Sequence, residues 1–239
     1  MSGKEAIRQR IWALLEAKKA ARFPGAVGRI PNFIGAEACA RRLTDLPAWR
    51  SARVLKVNPD SPQRPIRQKA LEEGKVIYMA VPRLRSDKPF IALDPEKLKC
   101  SPRAASSIEG ASKHGRPVKL EEVKPIDLVV CGSVAVNRRG GRVGKGGGYS
   151  DLEFALLVEE GKIASRTQVV TSVHPLQLVD DDLPMTVHDI PLSVIVTPEE
   201  IIKAEKTLRR PQGIYWDMLP AEKIEAIPVL KARQARRTR

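Results

Sequence analysis

Gly140-Gly-Arg-Val-Gly-Lys-Gly-Gly-Gly-Tyr-Ser-Asp-Leu-Glu153 follows the apolar run Ile126-Asp-Leu-Val-Val-Cys131 and leads into a segment, Leu152 to Glu160, whose apolar residues recur at helical spacing. The order is strand, glycine loop, helix. Six of the fourteen loop residues are glycine, two (Arg142 and Lys145) are cationic, and Asp151 stands near the end. Glycines let successive backbone N–H groups converge on one point, and a helix N-terminus adds partial positive charge there. Such a loop suits an anion, above all a phosphate. A flexible surface turn is the plainer alternative, but such turns seldom join a buried strand to an amphipathic helix.

Outward from the loop, strands and helices alternate. Residues 3–21 predict a helix with an apolar stripe of Ile7, Ile11, Leu14 and Leu15, and with Lys4 and Arg8 among its charges. A helix over about 36–43 follows, then a strand at 53–57 and a helix at about 66–73 stopped by Gly74. Further strands are expected at 76–81, at 126–136 in the centre, and near 167–172 and 192–196. The segment 84–125 is polar and irregular, with room for a short helix or edge strand. This pattern predicts a three-layer α/β/α fold with a mostly parallel, Rossmann-like sheet, whose ligands bind beyond the carboxyl ends of the strands.

The main α/β domain is expected to span 1–205, with a C-terminal arm and basic tail over 206–239. Pro211–Pro220 reads as an extended, aromatic-bearing arm. Lys231–Arg239 carries five basic residues and no acid, which suits a frayed, solvated tail or a nucleic-acid contact. Forty-two basic against 28 acidic residues give a formal charge of +14, implying an anionic partner or simply a basic surface. Three widely spaced cysteines argue against a disulfide framework and fit a reducing cytosol. No signal peptide is evident, and no apolar run approaches the roughly 20 residues that span a bilayer. A cytoplasmic protein with no membrane contact is the expectation.

The loop fails two common templates. A P-loop needs Gly-x-x-x-x-Gly-Lys-[Ser/Thr], whereas Gly144-Lys145 is followed by Gly146 and Arg139 stands where the first glycine belongs. A dinucleotide fold needs an acid about twenty residues on, at a strand end, and none is placed there. Fixed cations inside the loop suit a phosphoryl-transfer site instead. Asp151 has two open readings, a helix N-terminal cap or a Mg²⁺ ligand. His188-Asp189 could line a pocket or form a structural hydrogen-bonding pair.

Arg142-Val-Gly-Lys-Gly-Gly-Gly-Tyr-Ser-Asp151 resembles the Arg-x-Gly-x-Gly-x-Gly-Tyr-Tyr-Asp pattern of the 5-formyltetrahydrofolate cyclo-ligase family. Lys4-x-x-x-Arg8, Pro82-Arg-Leu-Arg85 and His188-Asp189 carry the likeness across about residues 3–200. Ile30-Pro-Asn-Phe33, Val57-Asn-Pro-Asp60, Gly132-Ser-Val-Ala-Val136, Gly148-Tyr-Ser-Asp-Leu-Glu153 and Gly213-Ile-Tyr-Trp216 are similar to the methenyltetrahydrofolate synthetase domain-containing subgroup.

The resemblance implies a ligase that uses ATP and Mg²⁺ to convert 5-formyltetrahydrofolate into 5,10-methenyltetrahydrofolate. Lys4, Arg8, Arg142, Gly144, Lys145, Gly146, Gly147, Gly148 and Tyr149 would hold the nucleotide. Arg142 and Lys145 would act in catalysis, and Asp151 would bind the metal. A reduced folate is the implied small-molecule substrate. The alternatives are a non-catalytic nucleotide- or RNA-binding homologue and a kinase for another small anion. Three positions depart from the family: Ser150 replaces a second tyrosine, Asn137 an aspartate, and Gln63 falls where a pterin-binding glutamate is usual.

Overall fold

The computed structural model describes residues 3–205 and 208–237. Its helices are α1 (Gly3–Ala17), α2 (Ala36–Leu43), α3 (Pro47–Ser51), α4 (Arg64–Glu72), α5 (Pro102–Ala105), α6 (Ile108–His114), α7 (Tyr149–Glu159), α8 (Ala221–Ala226) and α9 (Pro228–Arg237). The strands are β1 (Val54–Val57), β2 (Val76–Ala80), β3 (Phe90–Leu93), β4 (Arg116–Val118), β5 (Ile126–Cys131), β6 (Ala135–Val136), β7 (Arg142–Val143), β8 (Ile163–Ser172), β9 (Val194–Val196) and β10 (Ile201–Lys203).

Eight strands form one sheet in the order β10-β9-β8-β5-β1-β2-β3-β4. The five central strands, β9 through β2, run parallel; β10 at one edge and β3-β4 at the other are antiparallel. Both faces of β5 are covered, which is why Ile126–Cys131 is nearly all apolar. Leu128 and Val130 join a core with α2 and α4, while Val129 and Cys131 join a second core with α7. The three-layer α/β expectation holds.

β1 lies between β2 and β5, so the chain leaves it toward one side and returns on the other. Loops after β1 and β5 diverge at that switch point, where open α/β sheets place their ligands. α1 does not cover the sheet. Its Ile11, Trp12 and Leu15 pack on Val134, Ala135 and Val143 of the β6–β7 hairpin. Trp12 thus takes the place expected of Leu14, and its Nε1 donates to the Arg29 carbonyl at 3.0 Å.

Several local expectations need correction. The first helix ends at Ala17 rather than residue 21, since Lys19 takes a left-handed φ of 52°. The central strand stops at Cys131, and residues 135–136 and 142–143 form the separate β6–β7 hairpin, whose second strand takes up the start of the glycine loop. The 84–125 segment is more ordered than its composition suggests, holding two strands and two short helices.

The basic tail is not frayed over its described part. Leu230 of α9 is fully buried and joins Ile224 and Ile227 in the α7 core. Arg233 ion-pairs with Glu159, the last residue of α7, and with Glu160 just beyond it, Lys231 with Glu225, and Arg237 lies over the Trp216 ring. These three cations are engaged by the fold, and among the described residues none of their contacts points to a nucleic acid. The boundary at 205/206 abuts residues 206–207, which, like 238–239, lie outside the described residues. Among the described residues the cysteines are free, and no helix is long and apolar enough to cross a membrane.

Candidate functional site

A cavity of about 660 Å³ opens at the switch point. Its walls come from the loop after β1, the end of β2, the glycine loop, the first turns of α7 and the N-terminal turns of α1. Lys4, Arg8, Arg142, Gly144, Lys145, Gly146, Gly147, Gly148, Tyr149 and Asp151 all line it. Residues far apart in sequence, 4 and 8 against 142–151, therefore meet as expected.

The loop is shaped for close approach. Gly146 has φ +107°, which a side chain rarely adopts, and the Arg8 guanidinium lies 3.4 Å from where a Cβ would stand. Gly148 caps α7 in the left-handed region, at φ 65°. Among the described residues, no backbone N–H from Gly144 to Gly148 donates to another backbone group. Amides without backbone partners at a helix N-terminus are the kind of group that can receive an anion. Arg8 steadies the loop, its Nε donating to the Gly144 carbonyl at 2.7 Å. On the outer side, Lys223 donates to the Gly147 carbonyl at 2.7 Å and lies over the Tyr149 ring.

The lining cations are matched to carboxylates. Lys145 is half exposed and meets Asp60 at 2.7 Å. Arg142 is buried, with Nη2 2.5 Å from Asp151 Oδ1 and Nη1 donating to the Gly132 carbonyl at 3.0 Å. Burial works most strongly against its charge, but Asp151 together with Cys131 and Asp189 more than offsets it and keeps the guanidinium protonated. Arg142 is thus a rigid charge behind the loop, while Lys145 is a movable one at the rim.

Lys4 reaches Asp189 at 2.5 Å, tying α1 to the 183–191 segment. Burial pushes the Asp189 carboxyl up, but Lys4 and Thr186 more than offset this and hold it below the usual range. A carboxyl that titrates below its unfolded value, near 3.9, adds stability above that value and loses it as pH falls through the folded one. Asp189→Asn is therefore expected to be less stable than the parent near neutral pH, with the gap closing in acid. Urea midpoints at about pH 7 and about pH 3 check this; an unchanged gap would contradict the linkage.

His188 and Asp189 both line the cavity, but not as a pair. His188 Nε2 meets Thr186 Oγ1 at 3.1 Å, while Asp189 serves Lys4. Asn137 plays a structural part. Its Oδ1 accepts from the Gly141 amide at 2.8 Å and its Nδ2 donates to the Asp181 carbonyl, closing the β6–β7 turn.

Sequence reasoning missed Lys56, Arg67 and Glu153. Arg67 is buried and donates to the carbonyls of Asn58, Asp60 and Ser106, fixing the loop that presents Asp60 to Lys145. Burial lowers its pKa to about 9. Lys56 and Glu153 form an ion pair of 2.6 Å with both side chains under 10% exposed. Their signal was present: each is the lone charge in an apolar run, Val54–Val57 and Leu152–Leu157, and the two charges are opposite.

Among the described residues, no cluster of three or more His, Cys, Asp or Glu side chains could hold an ion. Asp151 Oδ1 already accepts from Arg142 and from the Ile190 amide. A single carboxylate such as Asp151 could hold magnesium only with phosphate and water completing the shell.

The sequence pattern of the 5-formyltetrahydrofolate cyclo-ligase family matches residues 1–198. The mouse methenyltetrahydrofolate synthase domain-containing protein is 41% identical over 231 residues, covering 95% of this chain and 62% of its own length. The chain thus spans about three fifths of that relative. The Escherichia coli K12 5-formyltetrahydrofolate cyclo-ligase is 27% identical, over 70% of this chain and 90% of its own. The solved 5,10-methenyltetrahydrofolate synthetase of Aquifex aeolicus superposes with a TM-score of 0.52 at 18% identity, covering 86% of this chain and 94% of that one. That likeness concerns the fold, and it places the same architecture beneath the loop. On the pattern over residues 1–198, the chain belongs to the 5-formyltetrahydrofolate cyclo-ligase family.

Proposed function

We propose that the cavity binds Mg·ATP and a reduced folate, and that it drives ring closure of 5-formyltetrahydrofolate to 5,10-methenyltetrahydrofolate. The observation that carries this reading is the glycine loop, whose unpaired backbone amides are ringed by Arg8, Arg142 and Lys145. Family membership supports a reduced folate as the second substrate.

The formyl oxygen attacks the γ-phosphorus and ADP departs. N10 then adds to the activated formyl carbon and loses its proton, and the C–O bond breaks to release phosphate. The nucleophiles belong to the substrate, so the protein has to position groups and neutralise charge. Lys145 shifts from Asp60 toward the transferred phosphoryl group. Arg142 supplies fixed charge beneath it, and Lys4 and Arg8 close the site from α1. Asp151 is the residue that would hold magnesium, which when bound neutralises polyphosphate charge.

Incubation with ATP, magnesium and 5-formyltetrahydrofolate is expected to raise the absorbance of the methenyl product, and excess chelator to stop it. Absence of product from folded protein would reject the reading. ATP turnover indifferent to folate would point to a kinase for another substrate.

A further inference from the structure

The C-terminal arm reaches the glycine loop. Ile224, Ile227 and Leu230 share a core with Leu152, Phe154 and Leu156 of α7, which holds α8 against the start of that helix. Lys223 of α8 thereby arrives at the loop. Its Nζ donates to the Gly147 carbonyl at 2.7 Å, lies 4.9 Å from the centre of the Tyr149 ring, and stands 3.1 Å from where a Cβ on Gly148 would be. The family pattern ends at residue 198 and does not include this lysine.

The contact fixes a direction. A trans peptide carries its C=O and N–H on opposite sides, and the Gly147–Gly148 bond is trans. Gly147 and Gly148 line the cavity, whereas Lys223 does not. With the Gly147 oxygen held on the outer side, the Gly148 N–H is turned toward the cavity. That amide donates to no backbone group among the described residues.

The charge of Lys223 works against the empty site. Gly148 is the N-cap of α7, and the partial positive charge of a helix N-terminus repels a cation. The side chain is half-buried; burial pushes its pKa down, and Asp151 opposes this only in part. Lys4, Arg8, Arg142 and Lys145 each meet a carboxylate. Lys223 meets a carbonyl and a ring face instead. Its apolar neighbours already anchor α8, so packing alone gives no reason for an ammonium here. A phosphate at the loop gives one, because it is the anion that both the helix N-terminus and the lysine favour.

We propose that Lys223 is a positioning residue of the phosphate site and that the C-terminal arm thereby belongs to the active site. Lys223 aims the Gly148 amide at bound polyphosphate and adds its charge from behind the loop. This role rests on the reading of the loop as the ATP site proposed above.

Two measurements test it. On the unaltered protein, Mg·ATP is expected to move the Gly148 amide proton downfield in NMR spectra, as a hydrogen bond to a phosphate oxygen requires. By calorimetry, Lys223→Met is expected to weaken Mg·ATP at least about tenfold, the scale of a hydrogen bond to a charged group. KM for ATP should rise similarly while KM for 5-formyltetrahydrofolate stays within about twofold, and Lys223→Arg, which keeps donor and charge, should stay within about threefold of the parent in both. Mg·ATP that binds without moving the Gly148 proton overturns the role and leaves the loop reading intact, even if Lys223→Met fails to fold. A folded Lys223→Met of parental ATP affinity also overturns it, and reduces Lys223 to a packing contact. If the unaltered protein binds no Mg·ATP, the loop reading and this role fall together.

Discussion

Lys145→Ala is expected to lower kcat by about 10²–10³-fold, the scale of losing one preorganised charge at a developing anion, while the protein stays folded. The side chain is 47% exposed and its Asp60 partner is a rim pair, so folding depends little on it. Catalysis depends on it more, because only interactions stronger in the transition state than in the ground state raise kcat. Asp60→Asn supplies the contrast. It frees Lys145 without removing the charge, and turnover should stay within about tenfold of the parent, consistent with loss of a surface pair. Steady-state rates at saturating ATP and 5-formyltetrahydrofolate, beside a melting curve, decide the matter. A Lys145→Ala enzyme of undiminished kcat would show that the phosphoryl group is not where the loop geometry puts it.

Arg142→Ala should act first on stability. It leaves Asp151 without its buried counter-charge and strips donors from the Gly132 and Ile190 carbonyls. Breaking a buried pair from one side typically costs about 3–5 kcal/mol. The urea midpoint is expected to fall accordingly, with the m-value unchanged. Arg142→Lys should recover only part of the loss, because an ammonium lacks the planar fork that spans three acceptors. An unaltered midpoint in Arg142→Ala would mean that the Asp151 contact contributes nothing to the fold.

The sheet was legible because its central strands are buried on both faces and read as apolar runs cut by glycine and proline. The loop was legible because its glycines and cations sit between a strand and a helix. Less of the surroundings could be read. The β6–β7 hairpin is two residues per strand, too short for a period to show, and its Asn137 turn resembles an ordinary loop. The tail misled because five cations in nine residues look solvated. The partners of Arg233, Glu159 and Glu160, lie some seventy residues back at the end of α7, and Leu230 is a single apolar anchor. Pairings such as Lys145 with Asp60 and Lys4 with Asp189 are tertiary, and no spacing rule reports them. Lys56 and Glu153 were the exception: a charge in each of two apolar runs was a readable sign that they meet.

The central claim is that the substrate's formyl oxygen attacks the γ-phosphate and leaves on it. Supplying 5-formyltetrahydrofolate labelled with ¹⁸O in the formyl group, together with Mg·ATP, and weighing the released phosphate by mass spectrometry tests this step. One labelled oxygen in each phosphate formed alongside the methenyl product is the predicted result. Unlabelled phosphate, with the label retained on the folate or lost to water, would contradict the account.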